Sequence, residues 1–235
     1  MARQPPGAAP SFATGLLDIA PVVVAVVPIG MLFGGLAVGK GMSIAEAGLM
    51  SLAVFGGGAQ FAALSLWTYP LPIGALAFST LLVNLRLMLM GASLDPKTRG
   101  FSVLGKLTAF YFLTDESWSL AERRALAGPV GPAYWAGVST PLPFAWVGAT
   151  LLGAWLGSLL GDPARFGADF AFAAVFIGLI ASFWKGRSTA YVVAASAVAS
   201  ALAYLAAGPP WHVAAGAFAG IVAAYVAAKP DAAAA

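Results

Sequence analysis

The chain has 235 residues, of which 60% are apolar and only 9% charged, with a mean hydropathy of +0.88 and a formal net charge of +3. Soluble domains carry about 25% charged residues, so the polar side chains needed to coat a water-facing surface are missing and a soluble globular domain is excluded. With no cysteine and one histidine, His212, disulfides, thiolate chemistry and clustered Cys/His metal sites are excluded as well; no metal or cofactor is expected. The basic residues stand singly between apolar runs, which reads as loop charge flanking membrane spans rather than as a nucleic-acid surface.

In chain order, residues 1–17 are expected to form a disordered tail, since Met1–Pro10 is rich in Pro, Gly and Ala and lacks the apolar centre of a signal peptide. Residues 18–228 are expected to form a single membrane domain, and 229–235 a short C-terminal tail. A membrane helix needs roughly 20 apolar residues, and helices are the default because open sheets cannot cross lipid. Span one is placed at Ile19–Gly39, with a kink at Pro28, which removes a backbone hydrogen bond. Span two covers Ala47–Trp67 and is interrupted by Gly56, Gly57 and Gly58. Span three is Ile73–Leu94. Segment four, Phe101–Ala121, is the least apolar, and Thr108, Phe112, Asp115, Ser119 and Glu122 fall at helical spacing as a polar stripe. Spans five to eight are Pro143–Leu160, Ala168–Trp184, Ser188–Ala207 and Trp211–Ala228. The fold expected is therefore an all-α polytopic membrane bundle of about 7–8 hydrophobic segments with broken or re-entrant helices.

Trp67, Trp135, Trp184 and Trp211 fall near span ends, where indoles seek the membrane interface. Eight full crossings put Lys40, Lys97, Arg99, Lys106 and Arg165 on one side and Arg3, Arg123, Arg124, Lys185, Arg187 and Lys229 on the other. Five against six gives no orientation, and one re-entrant segment changes the count. Ala53–Gly57 resembles Ala174–Gly178. That is either the trace of a repeat with halves at about 18–122 and 133–228, or chance similarity between Ala/Gly/Phe-rich spans.

Ionisable groups at mid-helix cost about 2.5–3.5 kcal/mol on insertion scales and are functional candidates by default. Arg86 is the clearest: it sits in Leu81–Met90 with no other charge within eight residues, and Asn84 is two positions before it. It either faces a wet path or snorkels to the nearer interface. Gln60 follows the three glycines, which serve either close helix packing or an unwound backbone facing a ligand. Asp115 and Glu116 are adjacent carboxylates pointing about 100° apart on a helix. They are either proton-coupling groups or interfacial charges at a helix end, one of them within reach of Arg123. A guanidinium, amides, exposed backbone donors and a carboxylate in an apolar chamber suit a zwitterion with an oily side chain.

Phe55–Phe61 (FGGGAQF), Asn84-Leu85-Arg86 with Gly91–Leu94, Leu113–Ser117 (LTDES) and the opening Pro28…Phe33-Gly34…Gly41 together resemble AzlC-type permeases, over most of the chain from about Ala20. The resemblance implies the large subunit of a two-component exporter of branched-chain amino acids. Its partner would be a small AzlD-type membrane subunit, and its location the bacterial cytoplasmic membrane. Gly56, Gly57, Gly58, Gln60, Asn84 and Arg86 would line the substrate pathway, and Asp115 and Glu116 would couple protons. Leu87 stands where many members carry His, and Met90 where many carry Tyr; both lower the polarity beside Arg86. No GxxxxGK[ST] loop is present, so the proton gradient is the natural energy source.

Two rival readings remain. Ser93 in Gly91-Ala92-Ser93 with His212 faintly resembles the Ser–His dyad of an intramembrane serine protease. A channel or ion-only transporter would share the same composition. A retinal protein is disfavoured because no lysine lies mid-span.

Overall fold

The computed structural model describes residues 11–54, 56–98, 100–126, 128–160, 186–208 and 211–227, with the isolated positions 170, 174, 177, 178, 180, 181 and 184. All regular structure among them is helical: α1 (Phe12–Gly39), α2 (Ile44–Ala53), α3 (Gly57–Ser65), α4 (Ile73–Leu94), a 3-10 turn (Asp95–Lys97), α5 (Val103–Tyr111), α6 (Asp115–Ala125), α7 (Pro132–Ser139), α8 (Pro141–Leu160), α9 (Arg187–Ala207) and α10 (Trp211–Ala227). Four stretches are long and apolar enough to cross a membrane: Phe12–Gly39, Ile73–Lys97, Pro132–Leu159 and Arg187–Ala207. The chain is an all-α membrane protein. Most of expected span six, Val175 and Phe176 of the Ala174–Gly178 motif, and the whole tail 229–235 lie outside the described residues.

Several boundaries differ from those read in the sequence. α1 begins at Phe12 because the Ser11 side chain accepts from the Thr14 N–H and caps it; residues 12–17, expected in the tail, are its first turns. Pro21 and Pro28 lie inside α1 without ending it. The fifth span starts at Pro132 rather than Pro143, with Pro141 opening its second part. Trp135, expected at an interface, is 4% exposed in a core that joins Ile19, Leu94, Leu113, Tyr134 and Val138.

The chain divides into two compact units, Met1–Gln60 with Asn84–Phe166, and Phe61–Val83 with Gly167–Ala235. In the first, α1 runs alongside α7 and α8 in the same direction, backbone against backbone. A Cβ on Gly15 would lie 2.3 Å from the Tyr134 carbonyl oxygen, and one on Gly34 2.0 Å from that of Thr150. Such close approach through small residues is how helices pack where lipid removes the hydrophobic drive between them. Leu94, at the end of α4, joins the core around Ile19 and Tyr134, so α4 finishes at the end of this unit where α1 and α7 begin.

Expected span two and segment four each prove to be two short helices. At 1.5 Å per residue, α2, α3, α5 and α6 are about 13–17 Å long, half of a hydrocarbon core about 30 Å thick. α2 opens on a reciprocal cap, in which Ser43 N–H donates to Glu46 (2.7 Å) and Glu46 N–H to Ser43 Oγ (3.2 Å). It stops at Ala53, where Val54 turns extended. α6 opens on a second such cap between Thr114 and Ser117. Its carboxylates Asp115 and Glu116 sit in the first turn and Arg123 and Arg124 in the last, matching the helix dipole. α5 starts beside the end of α4, where Lys106 pairs with Asp95 at 2.5 Å. α6 then runs back along the second half of α4, Asp115 beside Arg86 and Glu122 beside Lys97. Segment four is therefore a re-entrant hairpin, and the expected stripe from Thr108 to Glu122 is split by its tip.

In the second unit, α9 and α10 form an antiparallel hairpin around Gly208, whose φ of +68° favours glycine. Gly220 faces Ser196 and Gly216 faces Ser200, and Ser200 Oγ donates to the His212 carbonyl at 2.8 Å. The outward faces are apolar, with Leu205 82% and Tyr225 84% exposed, as lipid contact requires.

Candidate functional site

The polar residues of α4 at mid-helix meet both helix breaks of the first unit. α2 enters from the end where α1 finishes, and α5 from the end where α4 finishes, so two half-helices approach from opposite sides. Their tips touch: the Tyr111 hydroxyl, on the last residue of α5, donates to the Leu52 carbonyl near the end of α2 at 3.3 Å. That carbonyl is one of those a helix C-terminus leaves without an intrahelical partner.

Arg86 Nη1 lies 2.8 Å from Asp115 Oδ2, with the two side chains 37% and 27% exposed. The guanidinium turns to the hairpin tip instead of snorkelling along α4. Among the described residues, the Arg86 Nε and the Asn84 Oδ1 are buried without a hydrogen-bond partner. Atoms on Trp67, Ser79, Arg124, Trp135 and His212 share that state, so these two bear on the site only through their position beside the Arg86–Asp115 pair. Asn84 Oδ1 faces the α2–α3 break; a Cβ on Gly56 would lie 3.2 Å from it. Asp115 is thus paired with Arg86 and not Arg123. Glu116, the next residue, is half-buried with no ion pair or hydrogen bond among the described residues.

Gln60 is held between α2 and α8. It is fully buried; its Oε1 accepts from Trp146 Nε1 at 2.7 Å and its Nε2 donates to Ser51 Oγ at 2.9 Å. Ser51 in turn shares a 2.8 Å hydrogen bond with Thr150. This network ties α2 and α3 to α8 across the break. Gly57 belongs to the same brace, because a Cβ there would meet the Trp146 ring at 2.9 Å, while Gly58 lies in the first turn of α3. Pro28 is on an exposed face of α1, and Phe55 lies outside the described residues.

Ser93 and His212 stand in different units. The Ser93 hydroxyl is engaged with the Met90 carbonyl and Glu122 Oε1 (2.8 and 2.9 Å) and accepts from Trp118 Nε1 at 2.8 Å. The His212 ring packs edge-on against Tyr204.

Sequence reasoning missed Tyr111, Ser51, Trp146 and Thr150. Their signal is faint, since each is one mildly polar side chain in an apolar run. It also missed that Arg86 and Ser93, seven residues apart, share a helix face, which both face α6.

The arrangement offers a guanidinium for a carboxylate and a carboxylate for an ammonium group. The C-terminal end of α2 adds partial negative charge on the ammonium side. An Arg–Asp pair that is only partly buried is one a zwitterion can open and replace.

Residues 21–160 match the family described as AzlC protein. Over 192 residues the chain is 33% identical to an "Uncharacterized membrane protein" of Archaeoglobus fulgidus, covering 81% of this chain and 84% of that protein. No solved structure matches the chain.

Proposed function

Because the chain belongs to the AzlC family of membrane transporters, we propose that it exports branched-chain or other hydrophobic amino acids across the cytoplasmic membrane by alternating access. It would act with a small AzlD-type membrane subunit and be driven by protons. The observation that carries this reading is the Arg86–Asp115 pair at the touching tips of two half-helices. Discontinuous helices that meet at mid-membrane are where transporters bind substrate. A zwitterion entering there exchanges the internal pair for two external ones: its carboxylate on Arg86, its ammonium on Asp115 and Asn84 Oδ1. Glu116, a half-buried carboxylate beside Asp115, is the candidate to take up the proton.

The re-entrant hairpin favours one orientation. Lys97, Lys106, Arg123 and Arg124 gather at the end of the first unit where α4 finishes, against Lys40 at the opposite end. By the positive-inside rule the basic end faces the cytoplasm.

The test is uptake of labelled leucine, valine, lysine and glutamate into proteoliposomes holding this chain with and without the partner subunit. Leucine and valine moving in counterflow, with partner dependence and loss of accumulation on adding a protonophore, is the expected result. Leucine flux without counterflow would make the protein a channel, and no flux of any amino acid would reject the substrate class.

A further inference from the structure

α4 and α6 are joined at two levels, with the same spacing on both helices. Arg86 meets Asp115 at the inner level (2.8 Å) and Ser93 meets Glu122 at the outer one (2.9 Å). Glu122 follows Ser93 by 29 positions, and Asp115 follows Arg86 by the same number. The levels are thus two helical turns apart on each helix, about 10 Å, and residues so spaced share a face. α4 and α6 therefore run parallel, in one register.

The two levels are built differently. Among the described residues, the Asp115 side chain reaches α4 through Arg86 alone. Glu122 has two fastenings. One carboxylate oxygen pairs with Lys97, just past the end of α4, and the other accepts from the Ser93 hydroxyl. The Trp118 indole N–H, one turn before Glu122, donates to that hydroxyl at 2.8 Å and polarises it toward the carboxylate. Hydrogen bonds to ionised groups are roughly twice as strong as neutral ones. Met90 and Trp118 also pack against the apolar core around Ile19 and Tyr134, so the outer level is backed by fixed structure. A contact that a substrate must open cannot also be the one that keeps its helix in place. Once a zwitterion parts Asp115 from Arg86, the outer level alone holds the two charges at the spacing the ligand spans, and binding groups work only when held to within about 0.5 Å.

We infer that Glu122 is a positioning residue for the substrate site: clasped by Lys97 and Ser93, it fixes the register of α6 on α4 and keeps Asp115 opposite Arg86 while that pair is open. The inference rests on the reading of the Arg86–Asp115 pair as the place a zwitterion enters. Glu122 touches no substrate and acts through α6.

The chain has no cysteine, so Met88→Cys on α4 and Arg123→Cys on α6, both exposed, carry nitroxides whose dipolar distance reads the register. In the full-length protein in lipid, Asp115→Asn removes the inner ion pair without any ligand. The distance distribution is expected to stay narrow in Asp115→Asn and in Glu122→Ala, and to broaden by about 5 Å, one helical turn, when the two are combined. Combining Asp115→Asn with Glu122→Gln keeps it narrow, because the amide carbonyl still accepts from Ser93. A narrow distribution in Asp115→Asn/Glu122→Ala, or broadening in Asp115→Asn by itself, overturns the inference. In leucine counterflow, the folded fraction of Glu122→Ala should show a KM raised about tenfold with kcat little changed. Lys106→Gln, which frees α5 from Asp95, should leave KM as it is. An unchanged KM in Glu122→Ala also overturns the inference and leaves the export reading standing. If the wild-type protein carries no amino acid, the export reading fails, and the label distances still decide whether Glu122 holds α6. Should Glu122→Ala fail to fold, Glu122→Leu fills the same space without the charge and takes its place in every arm.

Discussion

The Arg86 guanidinium and the Asp115 carboxylate meet at 2.8 Å, the first from the middle of a crossing helix and the second from the first residue of a hairpin's returning arm. Each carries a charge that costs energy to keep in a membrane, and each offsets the other. The pair thus does two jobs: it stabilises the empty protein, and it presents both charges a zwitterion needs.

Those two jobs separate on substitution. Hydrogen bonds to charged groups are worth about 1.5–3 kcal/mol, so Arg86→Gln should raise the apparent KM for leucine about 10–100-fold and destabilise the fold by leaving Asp115 unpaired. The double variant Arg86→Gln/Asp115→Asn should recover the monodisperse elution that the single variant loses, and still fail to transport. Counterflow of labelled leucine, read beside size-exclusion profiles, checks both. Wild-type counterflow in Arg86→Gln would remove Arg86 from the site.

Gln60 should behave as a brace. Gln60→Leu leaves Trp146 Nε1 without a partner and Ser51 Oγ with Thr150 alone, and an unsatisfied buried group costs about 1–3 kcal/mol. At about 2–4 °C per kcal/mol for a chain of this size, melting in detergent should fall by several degrees. The fraction that stays folded should keep its order of preference among leucine, valine and alanine. An unchanged melting temperature with lost transport would make Gln60 a substrate contact instead.

The extent to which this was legible in the sequence follows from the range of each interaction. Span three, α9 and α10 were placed to within a residue, because a long apolar run bounded by Gly, Pro or charge has few readings. The outlying Arg86 and the glycine interruption were visible because both violate a local rule. The return of segment four was not visible, since two half-helices and one crossing helix have the same hydropathy. Only the Thr114-x-x-Ser117 cap betrays the fresh helix start. The partners of Gln60 and the burial of Trp135 were not visible for a different reason. A polar or amphipathic side chain in an apolar run looks the same whether its partner is a ligand, the interface or a side chain 86 residues away, as Trp146 is from Gln60.

Orientation can be read directly from accessibility. Leu126, just past α6, is 90% exposed and lies at the end bearing Lys97, Arg123 and Arg124; Lys40 lies at the other. With no native cysteine, Leu126→Cys should react with an impermeant maleimide in inside-out vesicles and Lys40→Cys in right-side-out ones. The reverse pattern would place the basic end outside, against the lysine and arginine bias.

The parallel contact between α1 and α8 makes the sharpest structural prediction. A Cβ on Gly153 would lie 1.9 Å from the Met31 carbonyl oxygen, a backbone atom that no side-chain rotation can move, whereas one on Gly148, in the same helix, would meet nothing within 4 Å. Gly153→Ala therefore forces the helices apart, at a cost of 1–3 kcal/mol or more by the usual magnitude of overpacking, roughly. Gly148→Ala should be neutral or stabilising by about 0.5–1 kcal/mol, through the loss of glycine's unfolded-state freedom. Folded yield after membrane extraction and the detergent melting temperature should move in opposite directions for the two variants. Because α8 also carries Trp146 and Thr150 against the α2–α3 break, displacing it should lower transport by Gly153→Ala even in the folded fraction. Full activity in that fraction would show that the brace does not depend on the helix pair behind it.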